Sequence, residues 1–289
     1  MTGGRLRPLV VSLVLALLPA TVAAADYDGP LIDAHAHLPD AKAIDTYVDA
    51  MKRHGIRKVV LLGSGGVQRQ DAEWIAAAVR SYPEMVVPGV PVPDPTRPDA
   101  AGQLDVELAR TKARVMGEVD LRHAARKIDR NPSERAFVDI LQLGGQRGVP
   151  VVVHDELTTP AATAALERAL GAQREAVVVL AHAGSAAPAD LEKLLGRNGN
   201  LMVDLSGLHF ERTPRLASER GPLDARWKAL IEKMPERFLV GLDVWAPRTL
   251  ESVRLDRLLR WTRRVLGQLT PEVAERVAWK NAVTLFRLD

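Results

Sequence analysis

The chain has 289 residues, 47% of them hydrophobic and 26% charged, which suits one large globular domain or two small ones and excludes a disordered or fibrous protein. Cysteine is absent, which excludes disulfides, thiol nucleophiles and cysteine-ligated metals and leaves His, Asp and Glu as the available metal ligands. The 39 basic and 36 acidic residues give a formal charge of +3 without any Lys/Arg block, so we expect no nucleic-acid partner.

The first segment of the chain has the pattern of a secretory signal peptide. Arg5 and Arg7 precede an apolar run from Leu9 to Leu18, and the small residues Ala23 to Ala25 follow it. This order of regions predicts a signal peptide over residues 1–25 and a secreted or periplasmic protein, with an uncleaved anchor as the alternative. The remaining chain has 37 basic residues against 36 acidic ones and no further segment that is apolar enough to cross a bilayer.

Eight short hydrophobic runs follow, and several are continuous rather than alternating, such as Val177 to Leu180. Continuous runs are typical of parallel strands that are buried on both faces. The predicted strands are Leu31 to Leu38, Lys58 to Gly63, Val86 to Val92, Val115 to Leu121, Pro150 to Glu156, Ala176 to Gly184, Leu201 to Gly207 and Phe238 to Trp245.

Segments with helical spacing of apolar residues alternate with these runs. The predicted helices are Ala41 to His54, Gln70 to Ser81, Gly102 to Thr111, Ser133 to Arg147, Pro160 to Leu170, Pro188 to Leu195, Asp224 to Met234 and Arg254 to Leu266, with shorter ones at Pro271 to Arg276 and Ala282 to Arg287. Eight strand and helix units over residues 26–289 predict an α/β fold, a single-domain (β/α)8 TIM barrel. An open doubly wound sheet is the alternative, because periodicity does not show closure, and a homo-oligomer is compatible with this sequence.

Residues that bind metals fall on the ends of the predicted strands. His35 and His37 are two residues apart on one strand and therefore point to the same face, where two imidazoles suit a divalent transition metal. Each such residue taken singly could be an ordinary hydrogen-bonded polar group. Together, at the end of a barrel where catalytic groups gather, they predict a site formed by His35, His37, Glu118, His154, His182 and Asp243.

The motifs around these residues resemble those of the amidohydrolase superfamily, and most closely its amidohydrolase-related branch. The motifs are Ile32 to His37, Val153-His154, Leu180 to Gly184, Gly241 to Asp243 and the C-terminal Lys280 to Phe286. The resemblance implies that His35, His37, His154 and Asp243 bind a metal, with His182 binding a second metal or the substrate. Glu118 also resembles a metal-holding Glu of TatD-like deoxyribonucleases, so a site for one ion and a site for two ions are both open. We expect the metal to be zinc, which suits this donor set.

These residues predict an exported hydrolase in which a metal-activated water cleaves an amide, ester or lactone bond of a small organic substrate. Asp243 would carry the proton and His182 would stabilise the developing negative charge. Candidate substrate contacts in the loops after the strands are Arg122, His209, Trp245 and Arg248. The alternatives are a metal-dependent decarboxylase of the same branch, a TatD-like nuclease and a binding protein without catalytic activity.

Overall fold

A computed structural model describes residues 25–63, 70–92 and 94–288. The predicted signal peptide, residues 1–25, lies outside the described residues except for Ala25. Within the described ranges, no helix combines the length and the apolar character that a membrane span requires.

Nine strands form one sheet, and eight of them are parallel neighbours in the order β1-β2-β3-β4-β6-β7-β8-β9. The remaining strand, β5, pairs antiparallel with the end of β4. The strands are β1 Leu31–Ala36, β2 Ile56–Leu61, β3 Val86–Val90, β4 Val115–His123, β5 Ile128–Asp129, β6 Val151–Asp155, β7 Val178–Leu180, β8 Leu201–Asp204 and β9 Phe238–Leu239.

Backbone contacts between β1 and the segment that follows β9 bring the two ends of the sheet together. Ala36 and Val244 form a parallel bridge, and the amide nitrogen of His37 donates to the carbonyl oxygen of Val244 at 2.7 Å. The Asp243 nitrogen donates to the His35 oxygen at 2.9 Å. The sheet is therefore a nearly closed barrel, which confirms the predicted (β/α)8 TIM barrel and contradicts the open-sheet alternative.

Successive residues of the strands pack into two separate hydrophobic clusters. In β2, Val59 and Leu61 belong to the large cluster between strands and helices, whereas Val60 belongs to a smaller one. The smaller cluster takes residues from strands all around the sheet and is completed by Ala282 and Phe286 near the C-terminus. Both faces of the parallel strands are thus largely buried, which explains the continuous hydrophobic runs in the sequence.

Helices follow the strands and cover the outside of the barrel. They are α1 Ala43–His54, α2 Asp71–Ser81, α3 Ala100–Thr111, α4 Arg135–Arg147, α5 Pro160–Ala172, α6 Pro188–Arg197, α7 Ala225–Lys233 and α8 Ser252–Leu266, followed by the short α9 Pro271–Glu275 and α10 Asn281–Phe286. Helices α5 and α6 both begin with proline at the first turn, where its missing N–H costs nothing. The predicted helices are therefore confirmed, with ends shifted by a few residues.

Most predicted strands end earlier in the structure than the sequence indicates, and in two of them the chain turns at a site residue. Strand β7 stops at Leu180, and a short 3-10 turn, Ala181–Ser185, follows with positive φ angles at His182, Ala183 and Gly184. Strand β9 stops at Leu239, and Asp243 also has a positive φ of 51°. Left-handed backbone is uncommon outside glycine, so the hydrophobic pattern could not reveal that the chain turns at these two site residues.

Candidate metal centre

The six predicted metal-binding residues cluster toward the carboxyl-terminal ends of the barrel strands. They belong to five different segments: the end of β1, the middle of β4, the end of β6, and the turns after β7 and β9. His35, His37, Glu118 and Asp243 are buried. The structure therefore brings residues that are up to about two hundred positions apart in the chain into one cluster.

The two histidines of β1 meet at their ring tips. The Nε2 atoms of His35 and His37 lie 3.1 Å apart, as the alternation of side chains along a strand predicts. The other ring nitrogen of each histidine has an acceptor, because His35 Nδ1 lies 2.9 Å from Asp204 Oδ2 and His37 Nδ1 lies 2.9 Å from the Leu62 oxygen. Those acceptors favour a proton on Nδ1 and leave both Nε2 lone pairs directed at the same point.

Glu118 stands between two pairs of histidines. Its Oε2 atom is 3.6 Å from His35 Nε2 and 3.3 Å from His37 Nε2. Its Oε1 atom is 3.1 Å from His154 Nδ1 and 3.4 Å from His182 Nε2. Each carboxylate oxygen thus faces its own pair of imidazole nitrogens, which is the arrangement that a carboxylate bridging two cations requires.

A glycine before Glu118 allows β4 to place this carboxylate. Gly117 has a φ of 122°, and a Cβ atom there would lie 2.4 Å from the Val152 carbonyl oxygen of the neighbouring strand. Any other residue would have to move one of the two strands. Glycine is therefore required at position 117 by the close approach of the neighbouring strand, and glutamate at position 118 supplies the carboxylate of the cluster.

Asp243 completes the cluster from the turn after β9. One ligand atom from each of His35, His182 and Asp243 lies within 4.8 Å of the others, and the same holds for two further sets, His35-His37-Glu118 and Glu118-His154-His182. Asp243 Oδ2 is also 2.9 Å from an Nη1 atom of Arg212. The three sets overlap, so all six predicted residues form one continuous group of donors.

Asp204, at the end of β8, holds two of the histidines in place. Its Oδ1 accepts hydrogen bonds from the backbone nitrogens of His182 and Ser206 at 3.1 and 3.0 Å, while its Oδ2 faces His35 Nδ1. The Ser206 hydroxyl lies 2.8 Å from His182 Nδ1. This buried carboxylate therefore fixes the ring of His35 and the backbone of the left-handed turn at His182.

Charges within the cluster shift the pKa values of His35 and Glu118 strongly. Burial opposes a charge on His35, but the carboxylates of Asp204 and Glu118 reverse this effect and hold the pKa of His35 well above its usual range. Burial likewise opposes a charge on Glu118, and the surrounding histidines hold its pKa well below the usual value. The cluster is consequently a set of ionised carboxylates among imidazoles, a setting in which a bound cation and protons compete for the same nitrogens.

A further group, Asp120, His123 and His154, also has closely spaced donor atoms, but its geometry argues against a shared ion. The rings of His123 and His154 are stacked, with centroids 3.9 Å apart and planes 13° apart. The nitrogen lone pairs of stacked rings lie in two nearly parallel planes and therefore do not converge on one ion. Asp120 instead accepts from His123 Nδ1 at 3.0 Å, so this group supports the ring plane of His154.

The predicted substrate contacts occupy different settings. Arg122 Nη2 pairs with Asp155 Oδ2 at 2.6 Å and donates to the Ala162 oxygen at 2.9 Å, which directs it toward α5. His209 is buried in the loop after β8, and burial, aided by the charge of Arg212, lowers its pKa to about 4. Trp245 and Arg248 are exposed after β9. Arg122 is thus engaged with Asp155 and α5 rather than with the metal-binding residues.

Sequence reasoning missed three residues of this cluster. Asp204 ends β8 and Ser206 follows it in the motif Asp-Leu-Ser-Gly, and their position at a strand end was the available signal. Arg212 lies in the long β8 to α7 loop, where nothing in the sequence distinguishes it from the neighbouring arginines. The contact of Arg212 with Asp243 depends on the conformation of that loop.

The donor set tests whether a metal fits these residues. Four imidazoles and two carboxylates, with no thiol and no amide, are ligands that Zn²⁺ and related divalent ions prefer. The second nitrogens of His35, His37 and His182 each face an oxygen acceptor, as metal-ligating histidines almost always do. The residues present therefore fit a divalent metal.

Comparisons with known proteins agree with this architecture. The family model described as amidohydrolase matches residues 32–288. No curated protein sequence matches the chain.

Solved structures with the same fold cover about nine tenths of the chain. An uncharacterised TIM-barrel protein from Bordetella bronchiseptica has a TM-score of 0.68 at 16% identity, covering 90% of this chain and 99% of its own. A 5-carboxyvanillate decarboxylase from Sphingomonas paucimobilis has a TM-score of 0.61 at 14% identity, covering 90% and 99%. A dihydroxybenzoic acid decarboxylase from Polaromonas sp. JS666, with bound manganese, has a TM-score of 0.62 at 14% identity, covering 91% and 97%.

Proposed function

The chain belongs to the amidohydrolase family, and from this premise we propose that it is a metal-dependent hydrolase that cleaves an amide, ester or lactone bond in a small organic substrate. The family supports a metal-dependent enzyme, either hydrolase or decarboxylase. The observation that carries the proposal is the position of Glu118, whose two oxygens face two separate histidine pairs. A site of this kind suits hydrolysis with one or two divalent ions.

The residues divide between two ion positions. His35 and His37 would hold one ion and His154 and His182 would hold the other, with one oxygen of Glu118 facing each histidine pair. When bound, a divalent ion lowers the pKa of water and polarises a substrate oxygen. We propose zinc as the ion because the donors are imidazoles and carboxylates; the manganese in the Polaromonas decarboxylase makes manganese the first alternative to measure.

Asp243 is the residue that we assign to proton transfer. Its Oδ2 is occupied by Arg212, which leaves Oδ1 to accept a proton from the attacking water and to return it to the leaving group. The carboxylate is buried, and its backbone is tied to β1 through the Asp243 nitrogen and the His35 oxygen. Its position relative to the histidines is therefore fixed before a substrate arrives, as efficient proton transfer requires.

Decarboxylation is the second candidate function, supported by the decarboxylases among the similar folds. The two reactions differ in the oxygen of the product. Hydrolysis in water enriched with oxygen-18 labels the product, whereas decarboxylation releases carbon dioxide and replaces it with a proton. A nuclease remains the weaker reading, and cleavage of DNA by the metal-loaded protein would favour it.

The experiment that tests the proposal combines metal analysis with a panel of esters, lactones and amides. We expect bound divalent metal and label incorporation in wild-type protein, and loss of both in His154→Ala. His54→Ala is the matched control, because His54 pairs with Asp256 at the end of α1, away from the cluster. Carbon dioxide release without label, or turnover by metal-free protein, would contradict hydrolysis by this site.

We also propose that the chain is exported and acts on its substrate outside the cytoplasm. The amino-terminal pattern supports this proposal. The Tyr27 nitrogen donates to the Arg263 oxygen at 3.0 Å, and the Arg263 guanidinium donates to the carbonyl oxygens of Tyr27 and Gly29. Tyr27, two residues after the predicted cleavage point, is thus hydrogen-bonded to α8. Amino-terminal sequencing of protein from an exporting host should find Asp26 as the first residue. A sequence that begins at Met1 or Thr2 would contradict cleavage.

A further inference from the structure

A single arginine reaches the candidate metal centre from the β8 to α7 loop. Arg212 Nη1 lies 2.9 Å from Asp243 Oδ2, and the side chain is 38% exposed whereas that of Asp243 is 8% exposed. Arg212 therefore spans the distance from solvent to the buried cluster. It is not one of the metal-binding or proton-transfer groups proposed above.

The loop places this guanidinium directly above the site. Gly207 has a φ of 69°, and a Cβ atom there would lie 3.0 Å from both Arg212 Nη1 and His182 Nδ1. The loop itself is folded, because the Arg212 nitrogen donates to the His209 oxygen and the Leu216 nitrogen donates to the Leu208 oxygen. The guanidinium thus lies close to His182 as well as to Asp243.

The arginine keeps most of its hydrogen-bonding capacity. A guanidinium has five N–H donors in a planar fork, and the ion pair with Asp243 is the side-chain contact that Arg212 makes within the part of the chain that the structure describes. The other arginines near this end of the barrel differ, because Arg122 pairs with Asp155 and Arg126 pairs with Asp120. Arg212 can therefore donate hydrogen bonds to a further anion at the mouth of the site.

One available guanidinium suits a carboxylate better than a dianionic group. The Asp243 carboxylate already shows that a carboxylate fits against Nη1, and a second carboxylate can use the remaining N–H donors of the fork. His209, on the same loop, has its pKa lowered to about 4 by burial and by Arg212, so it adds no positive charge near neutral pH. Arg215 of the same loop is exposed, whereas Arg212 contacts Asp243, so a single guanidinium of this pair faces the site, which suits the single negative charge of a carboxylate.

We propose that Arg212 is a specificity-determining residue that selects substrates carrying a carboxylate next to the bond that is cleaved. This inference rests on the proposed function, since it names the substrate class of the same site. The contact with Asp243 sets the position: a carboxylate bound by Arg212 lies beside the proton-transfer residue. Small substrates with one anionic group near the reacting bond satisfy this geometry.

The test measures binding of two probes, succinate and acetate, to the zinc-loaded protein by isothermal titration calorimetry. A single carboxylate can be satisfied at the metal, so the second carboxylate of succinate reports on Arg212. We expect Arg212→Met to weaken succinate binding about 10- to 100-fold and acetate binding by less than about 3-fold. Arg212→Lys should recover only part of the succinate affinity, because an ammonium lacks the planar fork.

Arg215→Met is the matched control, since Arg215 is an exposed arginine of the same loop, and it should leave both affinities unchanged. Zinc content and melting temperature of each variant separate specificity from a structural role. Equal losses for both probes, no loss for either, or the same effect in Arg215→Met would overturn the inference. If the protein binds neither zinc nor manganese, the proposed function fails, and comparing the binding of succinate and neutral succinamide to the metal-free protein then decides the role of Arg212.

Discussion

Asp204→Asn is expected to weaken metal binding without unfolding the barrel. The two oxygens of Asp204 have different partners, because Oδ1 accepts from the backbone nitrogens of His182 and Ser206 and Oδ2 faces His35 Nδ1. An asparagine can keep its oxygen toward the two backbone nitrogens. Its NH2 group then replaces Oδ2 and donates to His35 Nδ1.

This exchange reverses the tautomer of His35. With a donor facing Nδ1, the ring proton moves to Nε2, the nitrogen that lies 3.1 Å from His37 Nε2 and that we assign to the metal. Replacing such an orienting partner typically costs about 10- to 100-fold in metal affinity, which corresponds to roughly 1.4 to 2.8 kcal/mol. Because the Oδ1 hydrogen bonds survive, we expect the free energy of unfolding of the metal-free protein to fall by only about 1 to 2 kcal/mol.

Competition with a chromophoric chelator measures the zinc affinity, and urea denaturation of metal-free protein measures the stability. Asp33→Asn is the matched control: Asp33 is a buried carboxylate that accepts from the backbone nitrogens of His35 and Leu242 and from the Tyr47 hydroxyl. Among the residues that the structure describes, it has no contact with an imidazole nitrogen. It should lower stability with little effect on zinc affinity. Wild-type zinc affinity in Asp204→Asn would refute the assignment of the His35 tautomer and of its Nε2 as a ligand.

Three further predictions concern the supports of the site. Gly117→Ala should lower the free energy of unfolding by about 2 to 3 kcal/mol in urea denaturation and reduce zinc content, because φ is positive there and the new Cβ would lie 2.4 Å from the Val152 oxygen; wild-type behaviour would contradict the strand geometry. His123→Ala should weaken zinc binding about 2- to 10-fold by removing the ring stacked on His154, whereas His123→Phe should not, and equal effects would argue against stacking. Because burial lowers the pKa of His209 from 6.5 to about 4, the unfolded chain binds a proton between those pH values that the native chain does not. Stability should therefore fall by about 2 kcal/mol from pH 7 to pH 5 through this residue, and His209→Phe should remove that part of the urea-midpoint shift; an unchanged shift would refute the neutral His209.

The fold was predictable because its strands are buried on both faces. Continuous runs such as Val177 to Leu180 are typical of a doubly covered sheet, and their alternation with amphipathic helices predicts the barrel. Closure was not predictable from the runs, since it depends on contacts such as Ala36 with Val244 that join residues far apart in the chain.

The metal-binding residue types were predictable, but their supports were not. His35 and His37 converge because a strand has a period of two, whereas His182 and Asp243 reach the cluster through left-handed backbone that no residue preference indicates. Arg122 and Arg212 show the same limit for substrate contacts. Arg122 lies near the end of β4 and Arg212 lies in the loop after β8. Arg122 pairs with Asp155 toward α5 and Arg212 reaches Asp243, a difference that arises from packing between segments far apart in the chain.

The position of Glu118 between two histidine pairs is the central claim, and metal content per chain tests it most directly. Elemental analysis of purified protein should find two divalent ions per chain in the wild type. In Glu118→Gln one oxygen remains toward one histidine pair, but the negative charge is lost and an NH2 group faces the other pair. This variant should therefore retain about one ion per chain. One ion in the wild type that is unaffected by Glu118→Gln would contradict the two-ion site.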